Sequence, residues 1–203
     1  MPAEQSGPLI EPIAVQKRYD CTECIMLWMQ NHMTVGSDIA FVALGSNLGD
    51  AEQNLLRAIE ELRKLADGNL VRSGLWVSEP LDCPVGSPDF INAVVGFTPK
   101  SESSPELLLV QLQNMELELG RQTDQMPNSP RPLDLDIIAY GALRVNLADL
   151  VIPHPRAHQR LFVLKPLQEI APHFILPGST QTVTELVEKA APMRIARLSD
   201  RSR

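Results

Sequence analysis

The chain has 203 residues, 44% of them hydrophobic and 21% charged, with a formal net charge of −7. That size and balance suit one globular domain with some length to spare. The negative sign argues against a nucleic-acid surface, and no apolar run approaches the roughly 20 residues of a membrane span.

Residues 1–38 read as an N-terminal extension, poorly ordered or carrying a short docked helix over Cys21 to Met33, and 39–203 as the folded domain. Ile25 to Met29 is too short for a signal-peptide core. Cys21 and Cys24 form a lone Cys-x-x-Cys without the second pair or finger-spaced histidines of a zinc site, and with Cys83 they make an odd count that fits free thiols in a reducing cytoplasm.

From Ile39 the pattern becomes regular. Ile39 to Leu44 reads as a buried strand ended by Gly45-Ser46-Asn47. Asp50 to Ala66 carries Leu55, Ile59 and Leu62 at helical spacing. Leu70 to Ser78 and Phe90 to Thr98 read as strands, separated by a proline-rich loop. Ser104-Pro105-Glu106 is a helix start, with a serine cap, proline in the first turn and an acid beside it. That helix runs to about Leu119 and stops at Gly120. Leu133 to Tyr140 is a further strand. The order strand, helix, strand, strand, helix, strand predicts an α+β fold with a ferredoxin-like βαββαβ core. A short hairpin strand near Arg144 to Val151, helices around His158 to Ile170 and a helix over Thr182 to Ala190 form a C-terminal helical extension.

The chemistry-bearing feature is Arg131-Pro132-Leu133-Asp134-Leu135-Asp136-Ile137-Ile138. Side chains at i and i+2 of a strand point the same way, so Asp134 and Asp136 converge. Two adjacent carboxylates call for a cation between them, and Mg²⁺ suits an all-oxygen site. Arg131 suits a ligand that brings phosphates with the metal. An Asp-x-Asp on the polar face of an edge strand is the plainer alternative. The flanking Leu133, Leu135, Ile137 and Ile138 weigh against it, because charges in a largely buried strand need partners.

These elements carry further motifs. They are Ala43-Leu44-Gly45-Ser46-Asn47-Leu48-Gly49, Pro88-Asp89-Phe90-Ile91-Asn92-Ala93, Glu116-Leu117-Glu118-Leu119-Gly120-Arg121, Pro153-His154-Pro155-Arg156 and Phe162-Val163-Leu164-Lys165-Pro166-Leu167. With Pro130 to Asp136 in its place, this order resembles the 6-hydroxymethyl-7,8-dihydropterin pyrophosphokinase family over roughly residues 39–177. The resemblance implies Mg²⁺-dependent transfer of diphosphate from ATP to the hydroxymethyl group of the dihydropterin, leaving AMP, in folate biosynthesis. It implies two Mg²⁺ ions on Asp134 and Asp136, with Arg121 and Arg131 on the phosphates as the other catalytic residues. Gln113, Ile137, His154 and Arg160 would complete the ATP site. Phe90 and Phe162 would stack on the pterin, Asn92 would read its hydrogen-bonding edge, and Ser78, Pro80 and Leu81 would shape its pocket. The expected partners are these two substrates, with no nucleic acid and no membrane, and the chain is expected to act as a monomer. Taken singly, Phe90 and Phe162 also read as core residues, and Arg156 and Arg160 as one solvated helix face.

One segment departs from the family. Its lid over the phosphates is typically basic, whereas Gln122-Thr123-Asp124-Gln125-Met126-Pro127-Asn128-Ser129 holds no lysine, arginine or aromatic residue. The competing expectation is therefore a catalytically diminished member that binds ATP or pterin in a regulatory role. An unrelated Asp-x-Asp transferase acting on a nucleotide-sugar would leave the other motifs unexplained.

Overall fold

The computed structural model describes residues 38–121 and 128–199. The expected extension, with Cys21 and Cys24, and most of the departing lid fall outside them.

The described chain is a mixed α/β structure, an antiparallel sheet with four helices. Its elements are β1 (Ala40–Ser46), α1 (Ala51–Arg63), β2 (Ala66–Arg72), β3 (Trp76–Ser78), β4 (Phe90–Pro99), α2 (Pro105–Glu118), β5 (Asp134–Tyr140), β6 (Val145–Asn146), β7 (Val151–Ile152), α3 (Leu161–Ile170), α4 (Val183–Lys189) and β8 (Ile195–Arg197). The main sheet runs β5-β1-β4-β3-β8, with β2 also paired to β4. The small hairpin β6-β7 stands apart from it.

Capping explains where the helices begin. The Asp50 carboxylate accepts from Gln53 N–H at 3.1 Å and opens α1. Ser104 Oγ accepts from Leu107 N–H at 3.2 Å ahead of Pro105 and opens α2. Each supplies an acceptor to an amide that has no partner within the helix.

The expected strand over Leu70 to Ser78 is divided in two. At residues 73–75 the ladder changes hands: Ser73 N–H donates to Val94 O at 2.9 Å, and Ser73 Oγ accepts from Val94 N–H at 3.0 Å. Gly74 N–H turns away to a carboxylate oxygen of Glu169, at 2.6 Å. Helix α1 ends at Arg63, three residues before the expected Ala66, because Ala66 already pairs with Pro99 of β4.

The strands bury both faces, with alternate side chains going to each. Val42, Leu44, Ala93, Val95, Leu135 and Ile137 pack under α1 and α2. Phe41, Val94, Ile138 and Ala139 pack under α3 and α4. The second pair of helices covers only part of its face. Beyond Val94 and Phe41, that face continues to Asn92 and Phe90 on β4 and to Ala43 and Gly45 on β1, and it opens into a cleft.

Candidate active site

The cleft has a volume of about 300 Å³. Register fixes its floor. Gly45 of β1 pairs with Asn92 on one side and with Asp134 on the other, while Ala43 pairs with Asp136. Ser78 of β3 pairs with Phe90. Residues spaced by two on neighbouring strands therefore carry one row of polar and aromatic side chains over a glycine floor.

At one end, two guanidinium groups converge on Asp134. Arg131 Nη1 lies 2.8 Å from Asp134 Oδ1 and Arg121 Nη1 lies 3.3 Å from the same oxygen. Burial first, then the neighbouring charge of Asp136, pushes the Asp134 carboxyl above the usual carboxylate range, against the pull of both arginines. Arg131 Nε is buried without a hydrogen-bond partner.

Glu116 of α2 braces this end from beneath. It follows Leu108 and Leu112 on the buried stripe of the helix. Its Oε1 accepts from Leu135 N–H at 2.7 Å, the amide between the two aspartates, and its Oε2 pairs with Arg121. Burial lifts its carboxyl to about 7, with Leu135 N–H and Arg121 pulling the other way. This brace was missed in the sequence. Its signal was an acid at the i+4 and i+8 spacing of two leucines.

His154 Nε2 stands 3.9 Å from Asp136 Oδ2. Burial, Arg160 and Arg156 lower its pKa to about 4, so the ring is neutral at pH 7. Its Nδ1 accepts from Arg156 N–H at 3.2 Å, which puts the ring proton on Nε2, facing Asp136.

At the other end, Asn92 Nδ2 donates to Ser78 Oγ at 3.0 Å and to Trp76 O at 3.3 Å. Arg160 lies over the Phe162 ring at 5.3 Å. The Cys83 thiol lines the cleft beside Leu81, and burial raises its pKa.

Asn47 ties the two ends together. Its Oδ1 accepts from Arg131 N–H at 2.8 Å, and its Nδ2 donates to Pro88 O at 3.3 Å. The turn after β1 thus holds both the segment before the aspartates and the loop before Phe90.

Of the residues singled out in the sequence, Gln113, Arg121, Arg131, Asp134, Asp136, His154 and Arg160 line the cleft, as do Ser78, Leu81, Phe90, Asn92 and Phe162. Pro80 does not line it. Ile137 is buried with its side chain on the opposite face of β5, in the core under α1 and α2. Among the described residues, no group of three or more His, Cys, Asp and Glu side chains is arranged to hold a metal.

Comparison with known proteins fits this geometry. The family described as 7,8-dihydro-6-hydroxymethylpterin-pyrophosphokinase (HPPK) matches residues 41–172. The chain belongs to the HPPK family. The 2-amino-4-hydroxy-6-hydroxymethyldihydropteridine pyrophosphokinase of Haemophilus influenzae is 40% identical over 161 residues, covering 79% of this chain and 98% of the relative. The enzyme of the same name from Methylorubrum extorquens is 35% identical over 162 residues, covering 78% and 98%. A Plasmodium falciparum HPPK-DHPS triple mutant, solved with pteroate, shares the fold at a TM-score of 0.56 and 13% identity. That match covers 74% of this chain, which spans 43% of the length of the solved HPPK-DHPS chain. The cleft, with the HPPK motifs gathered along it, lies inside the matched residues; Pro130 to Asp136 and Pro88 to Ala93 meet on either side of Gly45.

Proposed function

We propose that this protein transfers the terminal diphosphate of ATP to the hydroxymethyl group of 6-hydroxymethyl-7,8-dihydropterin, releasing AMP, as a step of folate biosynthesis. The observation that carries the reading is one continuous cleft with two unlike ends. One gathers two carboxylates and two guanidinium groups; the other gathers Asn92, Ser78, Phe90 and Phe162. A polyphosphate with its cation suits the first, and a flat heterocycle with a polar edge suits the second.

The donor set fits Mg²⁺. It consists of hard oxygens on two neighbouring carboxylates, and two carboxylates are what Mg²⁺ takes from a protein when phosphates and water fill its other positions. Asp134 and Asp136 would hold two such ions, and bound metal would neutralise charge on the transferring group. Arg131, whose buried Nε has no partner, and Arg121 bind phosphate oxygens. Gln113 and Arg160 extend the nucleotide site. His154, neutral with its proton on Nε2, donates a hydrogen bond there rather than a charge. Asn92 orients the pterin, and Phe90 and Phe162 hold its plane. Positioning and electrostatics supply most of the acceleration in such transfers.

Residues 39–203 form the catalytic unit in this reading. The strand order β5-β1-β4 followed by β2 and β3 supports a ferredoxin-like core whose second strand is split, with α3 and α4 as the C-terminal extension. Both ends of the cleft come from one chain, so a monomer suffices. The free thiol of Cys83 fits the cytoplasm. Among the described residues no helix is long and apolar enough to cross a membrane.

Calorimetric titration tests the reading. The dihydropterin should bind to protein preloaded with a non-hydrolysable ATP analogue and Mg²⁺. Asp134→Asn and Asp136→Asn should each remove the Mg²⁺ dependence of nucleotide binding. Retention of that dependence in either variant would overturn the metal assignment.

A further inference from the structure

The loop between β3 and β4, residues 79–89, supplies Glu79, Leu81 and Cys83 to the cleft. It springs from the last paired positions of the two strands, Ser78 and Phe90. Its first and last residues are therefore Glu79 and Asp89, two carboxylates facing each other across the neck of a hairpin. Like charges placed so repel and push the neck apart.

A single residue from the far end of the chain meets both. Strand β8 adds to the outer edge of β3, with Ser78 opposite Ile195 and Trp76 opposite Arg197. Arg194 stands just before it. Its guanidinium takes Asp89 in a two-pronged contact, Nη1 to Oδ2 at 2.8 Å and Nη2 to Oδ1 at 2.7 Å. Its backbone N–H donates to Glu79 Oε1 at 2.8 Å, and its carbonyl accepts from Glu79 N–H at 3.1 Å. Arg194 Nε stands 3.9 Å from Glu79 Oε2. One residue thus closes the neck through both its backbone and its side chain. It lies beyond residue 172, where the family match ends.

We propose that Arg194 is a positioning residue for the pterin end of the cleft, clamping loop 79–89 in the shape that receives the substrate. The clamp rests on the functional reading above for the identity of that substrate. Its groups are exposed or half-buried, where ion pairs add little to global stability. Its consequence is therefore local, in the placement of the loop. A planar fork matches the Asp89 carboxylate, whereas a lysine ammonium makes a single-point contact.

The test compares wild type with Arg194→Ala, Arg194→Lys and Arg197→Ala. Arg197, three residues on in β8, pairs with Glu169, at 3.1 Å, and not with the loop. Arg194→Ala should raise the KM for dihydropterin roughly fivefold, as expected for losing an exposed charge network. Its kcat, its KM for ATP and its unfolding midpoint should stay near those of wild type. Arg194→Lys should fall between, and Arg197→Ala should match wild type. Hydrogen exchange without substrate should show faster exchange of the loop amides in Arg194→Ala, a smaller rise in Arg194→Lys and none in Arg197→Ala. That arm reads the clamp even if the protein proves not to bind pterin, so the two failures are distinguishable. Unchanged loop exchange in Arg194→Ala, or an equal rise in KM in Arg197→Ala, would overturn the proposal.

Discussion

Asn92 and Asp134 are register partners of the same residue, Gly45, one from β4 and the other from β5. A single residue with no side chain thus separates Asn92, at one end of the cleft, from Asp134, at the other. A Cβ at Gly45 would sit 3.7 Å from both Asn92 Oδ1 and Phe90 Cδ1 and 3.9 Å from Asp134 Cβ. Those are ordinary contacts, so a side chain fits the backbone and fills the floor instead. Gly45→Val should weaken dihydropterin binding by about tenfold or more while leaving the unfolding midpoint near that of wild type. Calorimetry and thermal denaturation on one preparation check this.

Asn47 carries a second prediction. It satisfies Arg131 N–H and reaches Pro88 O with the two ends of one amide. Asn47→Ala should cost about 1–3 kcal/mol, the range for leaving a buried donor without its partner. Because Arg131 and loop 79–89 both lose an anchor, turnover should fall as well. Urea denaturation gives the first quantity and steady-state kinetics the second.

Glu116 gives a pH dependence of defined sign. Its carboxyl titrates at about 7 in the folded chain, against an ordinary value of 4.5. The folded state holds this proton more tightly than the unfolded state. The resulting stability is fully present below 4.5 and is lost as pH rises through about 7. The change across that window is on the order of 3 kcal/mol. In buffer without Mg²⁺ or nucleotide, the stability of wild type relative to Glu116→Gln should therefore fall between pH 5 and pH 8. Parallel curves for the two proteins would contradict this assignment.

The lid supplies a prediction from sequence alone. Residues 122–129 contain Asp124 and no cation. A preorganised positive charge near the transferring group is worth a factor of about 10²–10³ in such sites. Wild-type turnover should be slow for the family, and Asp124→Arg should raise kcat by at least about tenfold. An equal or lower kcat in the variant would assign charge neutralisation to Arg121, Arg131 and the metal alone.

Much of this architecture was legible in the sequence, for reasons that can be named. Asp134 and Asp136 share a face because the period of a strand is two, and the surrounding apolar residues marked the strand itself. Ser104 and Pro105 marked the start of α2 because caps are local chemistry. What stayed hidden depends on partners distant in sequence. The three residues of β8 have no period to detect, and they form a strand only because β3 offers an open edge. The break at residues 73–75 depends on Glu169, 95 residues from Gly74. Glu116 stood within a motif of its helix with no role of its own, because its partner, Leu135 N–H, is 19 residues away in sequence, at 2.7 Å. Ile137 belongs with the core because it alternates with Asp136, a consequence the strand period already contained.

The most direct test follows the nucleotide product. Purified protein should be incubated with ATP, MgCl₂ and 6-hydroxymethyl-7,8-dihydropterin, and the products separated by chromatography. The proposed transfer yields AMP and pterin diphosphate in equal amounts, with neither formed by Asp136→Asn. Formation of ADP in place of AMP, or no pterin-dependent consumption of ATP, would contradict it.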